Sequence, residues 1–170
     1  MRKSDSTGKN IVLIGMPTSG KSTVGVILAK IQGMDFIDTD IVIQQKEGAR
    51  LEHIIEKQGV EGFLHTEEQV LLGITADNAV IATGGSAVYS KAAMEYLAEN
   101  SIIIYLKVDK EELKKRLKDV KERGVVLKSS EDIDKMFDAR SKLYEAYSDI
   151  TIYEDGFSIE DTVRAIKEAI

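Results

Sequence analysis

Apolar positions along this chain follow two spacings. Short runs gather apolar residues with few polar interruptions: IVLIG (Ile11–Gly15), FID (Phe36–Asp38), NAVIATGG (Asn78–Gly85), SIIIYLKV (Ser101–Val108) and ITIY (Ile150–Tyr153). Such a run has no polar face to turn to water, so it predicts a strand buried on both sides. Between the runs the spacing becomes helical. Val24, Ile27, Leu28 and Ile31 follow Lys21 at helical intervals, and Leu113 and Leu117 make an i, i+4 pair. Helical patterns also fill Asp40 to Ala76, with breaks near Gly48 and Gly59, and the stretch SEDIDKMFDARSKLYEAY. Ser90, Asp109 and Ser158 stand where N-caps belong. Five strands alternating with helices predict repeated βαβ units, hence an α/β fold with a parallel sheet covered on both faces. No repeat, low-complexity tract or linker interrupts the pattern, so residues 1–170 read as one domain.

Composition narrows the partners. The 170 residues carry 23 Lys and Arg against 29 Asp and Glu, a formal charge of -6. An acidic surface repels a phosphate backbone, so nucleic acid is not an expected partner. The absence of cysteine excludes disulfides and thiolate metal sites and suits a reducing compartment. The opening MRKSDSTGKN is polar, and no apolar run approaches the roughly 20 residues of a membrane span. The expectation is a cytoplasmic protein without a membrane partner.

The first chemistry-bearing stretch is GMPTSGKST, Gly15 to Thr23. Gly15, Gly20, Lys21 and Ser22 fill the G-x-x-x-x-G-K-[ST] pattern. The stretch follows an apolar run and opens an amphipathic one, so backbone N–H groups of the loop and the helix start converge on anionic oxygen. That makes Gly15, Thr18, Ser19, Gly20, Lys21, Ser22 and Thr23 the candidate nucleotide-binding residues. Lys21 reaches toward the β- and γ-phosphates, and the Ser22 hydroxyl is a ligand for Mg²⁺. FIDTD offers two carboxylates, Asp38 and Asp40, which project to one side if the segment is extended. A plainer reading of this turn is a cap for the following helix. TGG at Thr83–Gly85 ends a predicted strand, the side on which open α/β sheets bind ligands, and its glycines leave backbone bare for a small substrate.

Taken in order, GMPTSGKSTVG, FIDTD, ATGGSAV, RGVVL and ARSKLY resemble the motifs of the shikimate kinase family, over Ile11 to Ile170. The resemblance implies a single-domain P-loop kinase of the nucleoside monophosphate kinase-like fold: a five-stranded parallel sheet, helices on both faces, and a lid at about 119–130. It implies a monomer that uses ATP and Mg²⁺ to phosphorylate a hydroxyl of a small anionic metabolite, shikimate to shikimate 3-phosphate. Asp38 then helps hold the hydrated Mg²⁺, and Asp40 meets the acceptor hydroxyls and takes up the proton. Gly84 and Gly85 line the acceptor, Arg116 packs near the adenine, Arg123 rides on the lid, and Arg140 grips the acceptor carboxylate. Lys21, Asp38, Asp40 and Arg123 are thus the catalytic candidates, with Ser22 and Asp38 at the metal.

Three positions depart from the family pattern. Leu64 stands where a second carboxylate-binding arginine is usual, Ser86 replaces a third glycine, and Gly124 follows Arg123 in place of proline. Losing one charge-assisted contact costs about 1.5–3 kcal/mol. His65, the next residue, points about 100° away from Leu64 on a helix, so it reads as a partly exposed helix residue before it reads as a substitute. Two alternatives therefore stand beside shikimate phosphorylation. One is a related kinase acting on another small hydroxylated acceptor, gluconate kinase-like or nucleotide kinase-like. The other is an ATP-binding sensor without efficient transfer.

Overall fold

The computed structural model describes residues 9–122 and 130–170. Five parallel strands form one sheet: β1 (Asn10–Ile14), β2 (Asp35–Asp38), β3 (Ala79–Ala82), β4 (Ser101–Lys107) and β5 (Ile150–Tyr153), in the order β2-β3-β1-β4-β5. Each apolar run of the sequence supplies one strand, shifted by a few residues at most. Every residue of β1 is buried, as expected of the central strand.

Side chains alternate across β1 and divide the core. Val12 and Ile14 join a layer with Leu71, Met94, Leu113, Leu117 and Tyr144, contributed by α3 (Leu51–Leu72), α4 (Lys91–Glu99), α5 (Lys110–Glu122) and α6 (Ser130–Tyr147). Ile11 and Leu13 face the other way, onto Val24, Leu28, Val163 and Ile166 of α1 (Lys21–Gln32) and α7 (Ile159–Ala169). A third cluster of Ile43, Ile54, Phe63 and Val70 packs α2 (Thr39–Glu47) onto α3. The expected break at Gly48 separates α2 from α3, and Gly59 kinks α3 at φ 71°, ψ 175°. Ser90, Asp109 and Ser158 accept backbone N–H bonds as the expected caps.

This strand order fixes where a ligand goes. The chain leaves β1 and pairs it with β3 on one side and β4 on the other, so the crossovers diverge at the carboxyl end of β1. The glycine-rich loop, the start of α2 and the turn after β3 all lie at that end. Among the described residues, no helix is long and apolar enough to cross a membrane.

Candidate functional site

The loop after β1 is built around Lys21. This lysine is only 7% exposed, and its Nζ donates to the carbonyls of Gly15 (2.9 Å) and Met16 (2.7 Å) and to Ser19 Oγ (3.2 Å). Burial lowers its pKa to about 8, against the pull of Asp40 and Glu154. Gly20 turns the chain into α1 with no side-chain cap, which leaves the first helical N–H groups to an anion. Thr18 sits at φ 66°, a strained conformation for a β-branched residue, and its buried hydroxyl has no partner. Arg116 reaches across from α5 and donates to the Thr18 carbonyl at 3.2 Å while pairing with Glu112 at 2.9 Å. It braces the loop directly. Ser22 and Thr23 are exposed on the cavity side.

Asp38 and Asp40 do not share an extended segment. β2 stops at Asp38, and Asp40 lies in the first turn of α2, so the same-side argument from strand spacing is corrected. The reason is capping: Asp38 Oδ1 accepts from the N–H groups of Asp40 (3.0 Å) and Ile41 (3.4 Å), which starts the helix at once. Both cap bonds end on Oδ1, so Oδ2 is the atom that could serve a hydrated ion. With the Ser22 hydroxyl this is an all-oxygen donor set suited to Mg²⁺, which needs few protein ligands when phosphates supply others. Asp40 is raised in pKa by burial first and by Asp38 second, with Lys21 opposing.

A cavity of about 410 Å³ joins these parts, with Lys21, Ser22, Asp40, Gly84, Gly85 and Arg140 in its wall. The two glycines are explained by protein atoms. A Cβ on Gly84 would overlap Glu67 Oε1 and lie 2.9 Å from Asp40 Oδ1; one on Gly85 would lie 3.0 Å from Arg140 Nη1 and from Pro17. Their bareness lets two carboxyls and a guanidinium close in, which qualifies the expectation of backbone left open for substrate. Arg140 is held on its outer side by Tyr89, whose ring centroid lies 5.2 Å from the guanidinium carbon. Tyr144 fixes the same turn by donating to the Gly85 carbonyl at 2.6 Å.

Leu64 lines an adjoining cavity of about 250 Å³ with Glu67, Ser86 and Tyr89. The two cavities meet at Ser86. Arg123 and most of the expected lid fall outside the described residues. The structure therefore brings Lys21, Asp40, Gly84, Gly85 and Arg140 to one cavity, with Asp38 behind Asp40 and Leu64 next door.

Sequence reasoning passed over Glu67, Tyr89 and Glu154. Glu67 is 2% exposed; its Oε2 accepts from the Ser86 hydroxyl at 2.5 Å and its Oε1 is buried without a partner. Burial raises its pKa to about 7, the Ser86 hydroxyl opposing and Asp40 adding to the rise. A signal was available: Phe63, Glu67, Val70 and Leu71 form one buried stripe of α3, so a carboxyl occupies an apolar position. Glu154, just past β5, is also buried with one unpartnered oxygen, and its pKa rises to about 7 through burial, opposed by Arg116. Nothing in its local spacing marked it.

Comparison with known proteins points to one family. The family model described as shikimate kinase matches residues 17–170. A shikimate kinase of Haemophilus influenzae is 36% identical over 169 residues, spanning 95% of this chain and 92% of that protein. One of Actinobacillus pleuropneumoniae is 34% identical over 165 residues, 95% of each chain. Among solved structures, a shikimate kinase from Acinetobacter baumannii in complex with shikimate superposes with a TM-score of 0.88 at 30% identity, covering 97% of this chain and 93% of that one.

Proposed function

This chain belongs to the shikimate kinase family, and from that premise we propose that it transfers the γ-phosphoryl group of ATP to a hydroxyl of shikimate, giving shikimate 3-phosphate. The observation that carries the reading is the meeting of Lys21, Asp40 and Arg140 in one cavity. A phosphate grip, a carboxylate for the hydroxyl and a guanidinium for a carboxylate are what such an acceptor requires.

The loop amides and Lys21 hold the phosphates, and Lys21 trades the Gly15 and Met16 carbonyls for phosphate oxygens as ATP enters. Arg140 takes the acceptor carboxylate and so aims a hydroxyl at Asp40. As the hydroxyl oxygen bonds to the γ-phosphorus, the bond to the bridging oxygen breaks, ADP leaves, and Asp40 receives the hydroxyl proton. Burial makes Asp40 a better proton acceptor than an exposed aspartate. Mg²⁺, held by Ser22 and Asp38, supplies charge neutralisation on the phosphates when bound. Arg123, to which the family pattern gives a phosphate-side role, lies outside the described residues, and no step is routed through it. We take the working form to be a cytoplasmic monomer, in keeping with a cysteine-free, acidic chain.

The test is ADP release by the purified chain with ATP and Mg²⁺, with and without shikimate. Strong, saturable stimulation is expected, and Lys21→Ala is expected to lose it while keeping the fold. A flat response from protein that still binds ATP overturns shikimate as the acceptor. Leu64 on the adjoining cavity then favours another small hydroxylated acid as acceptor.

A further inference from the structure

Glu67 is a buried carboxyl that the reaction as described leaves idle, yet it is built into the acceptor wall. Three observations bear on its role. Its Oε1 and Asp40 Oδ1 both crowd the point where Gly84 lacks a side chain. Its Oε2 is held by the Ser86 hydroxyl, at a position where the family usually has glycine. Among the described residues no ion pair includes it, and Leu64, one turn back on α3, supplies no charge.

Resting on the shikimate reading above, we propose that Glu67 is a positioning residue for phosphoryl transfer: its carboxyl works in the neutral form, and the Ser86 hydroxyl and Gly84 hold it beside Asp40, so that the acceptor meets a single negative charge. The groups around Glu67 make the charge state matter. Asp40 on α2 faces it, with Asp38 behind; Arg140 on α6 lies across the cavity; Lys21 interacts with Asp40 from the loop. On α3 itself, His65 and Glu68 flank it, and Glu68 is tied to Ser90. Tyr89 lies beyond Arg140.

A neutral Glu67 leaves Arg140 free for the acceptor carboxylate. An ionised Glu67 competes for that guanidinium and adds a negative charge next to Asp40, which repels an anionic acceptor and disfavours the ionised base. The proton affinity of Glu67, raised to about 7, puts this change within reach of neutral pH. A neutral carboxyl also explains how an acid outside every ion pair of the described residues is tolerated at an apolar position of α3.

The experiment compares kcat/KM for shikimate at about pH 6.5 and about pH 8.5 in wild type, Glu67→Gln and Ser86→Ala. Wild type is expected to lose several-fold across this interval. Glu67→Gln, which carries no ionisable group there, should show a clearly smaller loss than wild type, Lys21 accounting for what remains. Ser86→Ala removes the bond that favours the charged form, so the loss should move to higher pH. The same decline in wild type and Glu67→Gln overturns the proposal and assigns the alkaline limb elsewhere, Lys21 being the obvious owner. Absence of shikimate-dependent ADP at every pH refutes the functional reading instead. The charge state is then decided by infrared difference spectra at neutral pH: a carboxylic-acid band lost in Glu67→Gln supports it, and no such band overturns it.

Discussion

Tyr89 lies against Arg140, its ring centroid 5.2 Å from the guanidinium carbon and its hydroxyl accepting from Nε at 3.3 Å. The pair spans the short turn after β3 and the middle of α6. It holds the guanidinium that lines the cavity shared with Lys21 and Asp40, on a side where the family's second arginine is absent. A cation–π contact of this kind is worth about 0.5–1 kcal/mol, so Tyr89→Ala should raise the KM for shikimate about 2- to 5-fold with kcat little changed. Tyr89→Phe keeps the ring and should recover most of that loss. Equal falls in kcat for both variants would place Tyr89 elsewhere in the reaction.

Leu64 lines the cavity next to Glu67 and Ser86. Leu64→Arg restores a guanidinium within reach of the acceptor side, and should lower the KM for shikimate about 10-fold, the value of one charge-assisted contact. The same arginine, three residues from Glu67 on α3, would pair with it and favour its ionised form. Steady-state kinetics of the variant read the gain; an unchanged KM means that the acceptor does not reach this wall.

Gly84→Ala should be damaging for a steric reason. The added methyl would overlap Glu67 Oε1 and press on Asp40 Oδ1, both set in a packed wall. Overpacking of this kind costs roughly 1–3 kcal/mol, and here it displaces Asp40, the carboxylate proposed above to receive the proton. We expect a lower Tm together with loss of kcat. A stable variant with normal kcat would show that the carboxyls have room to move.

Glu154 makes stability depend on pH. Its folded pKa, about 7, lies above the ordinary glutamate value near 4.5, because burial disfavours the charge. The folded state therefore holds a proton that the unfolded chain has released between those values. Stability from this group is complete below about pH 4.5 and is lost as pH rises through about 7, a change on the order of 1–3 kcal/mol. Glu154→Gln should consequently gain Tm over wild type at about pH 8 and lose that advantage at about pH 4.5. Denaturation curves at the two pH values check the sign.

What could be read without coordinates were features set by near neighbours in the chain. Unbroken apolar runs cannot present a polar face, so all five strands were legible. Ser90, Asp109 and Ser158 cap because a short polar side chain reaches its own helix's N–H groups. The loop from Gly15 to Thr23 was legible for the same reason. Even there, the capping of α2 by Asp38 overrode the simple strand spacing assumed for Asp38 and Asp40.

The amino-acid sequence by itself determined an α/β chain with a phosphate-binding loop and, through its ordered motifs, the family. Tertiary structure alone decided which side chains meet around the two adjoining cavities. Ser86 bonds Glu67 across 19 positions, and Arg140 bonds Tyr89 across 51. No periodicity carries such pairings, because they depend on where the β3 turn, α3 and α6 are brought by packing on the sheet. The charge of Glu67 follows from that same packing: burial, with Asp40 adding to it, outweighs the Ser86 hydroxyl and the Arg140 charge and raises the pKa of a carboxyl that looks ordinary in the sequence to about 7.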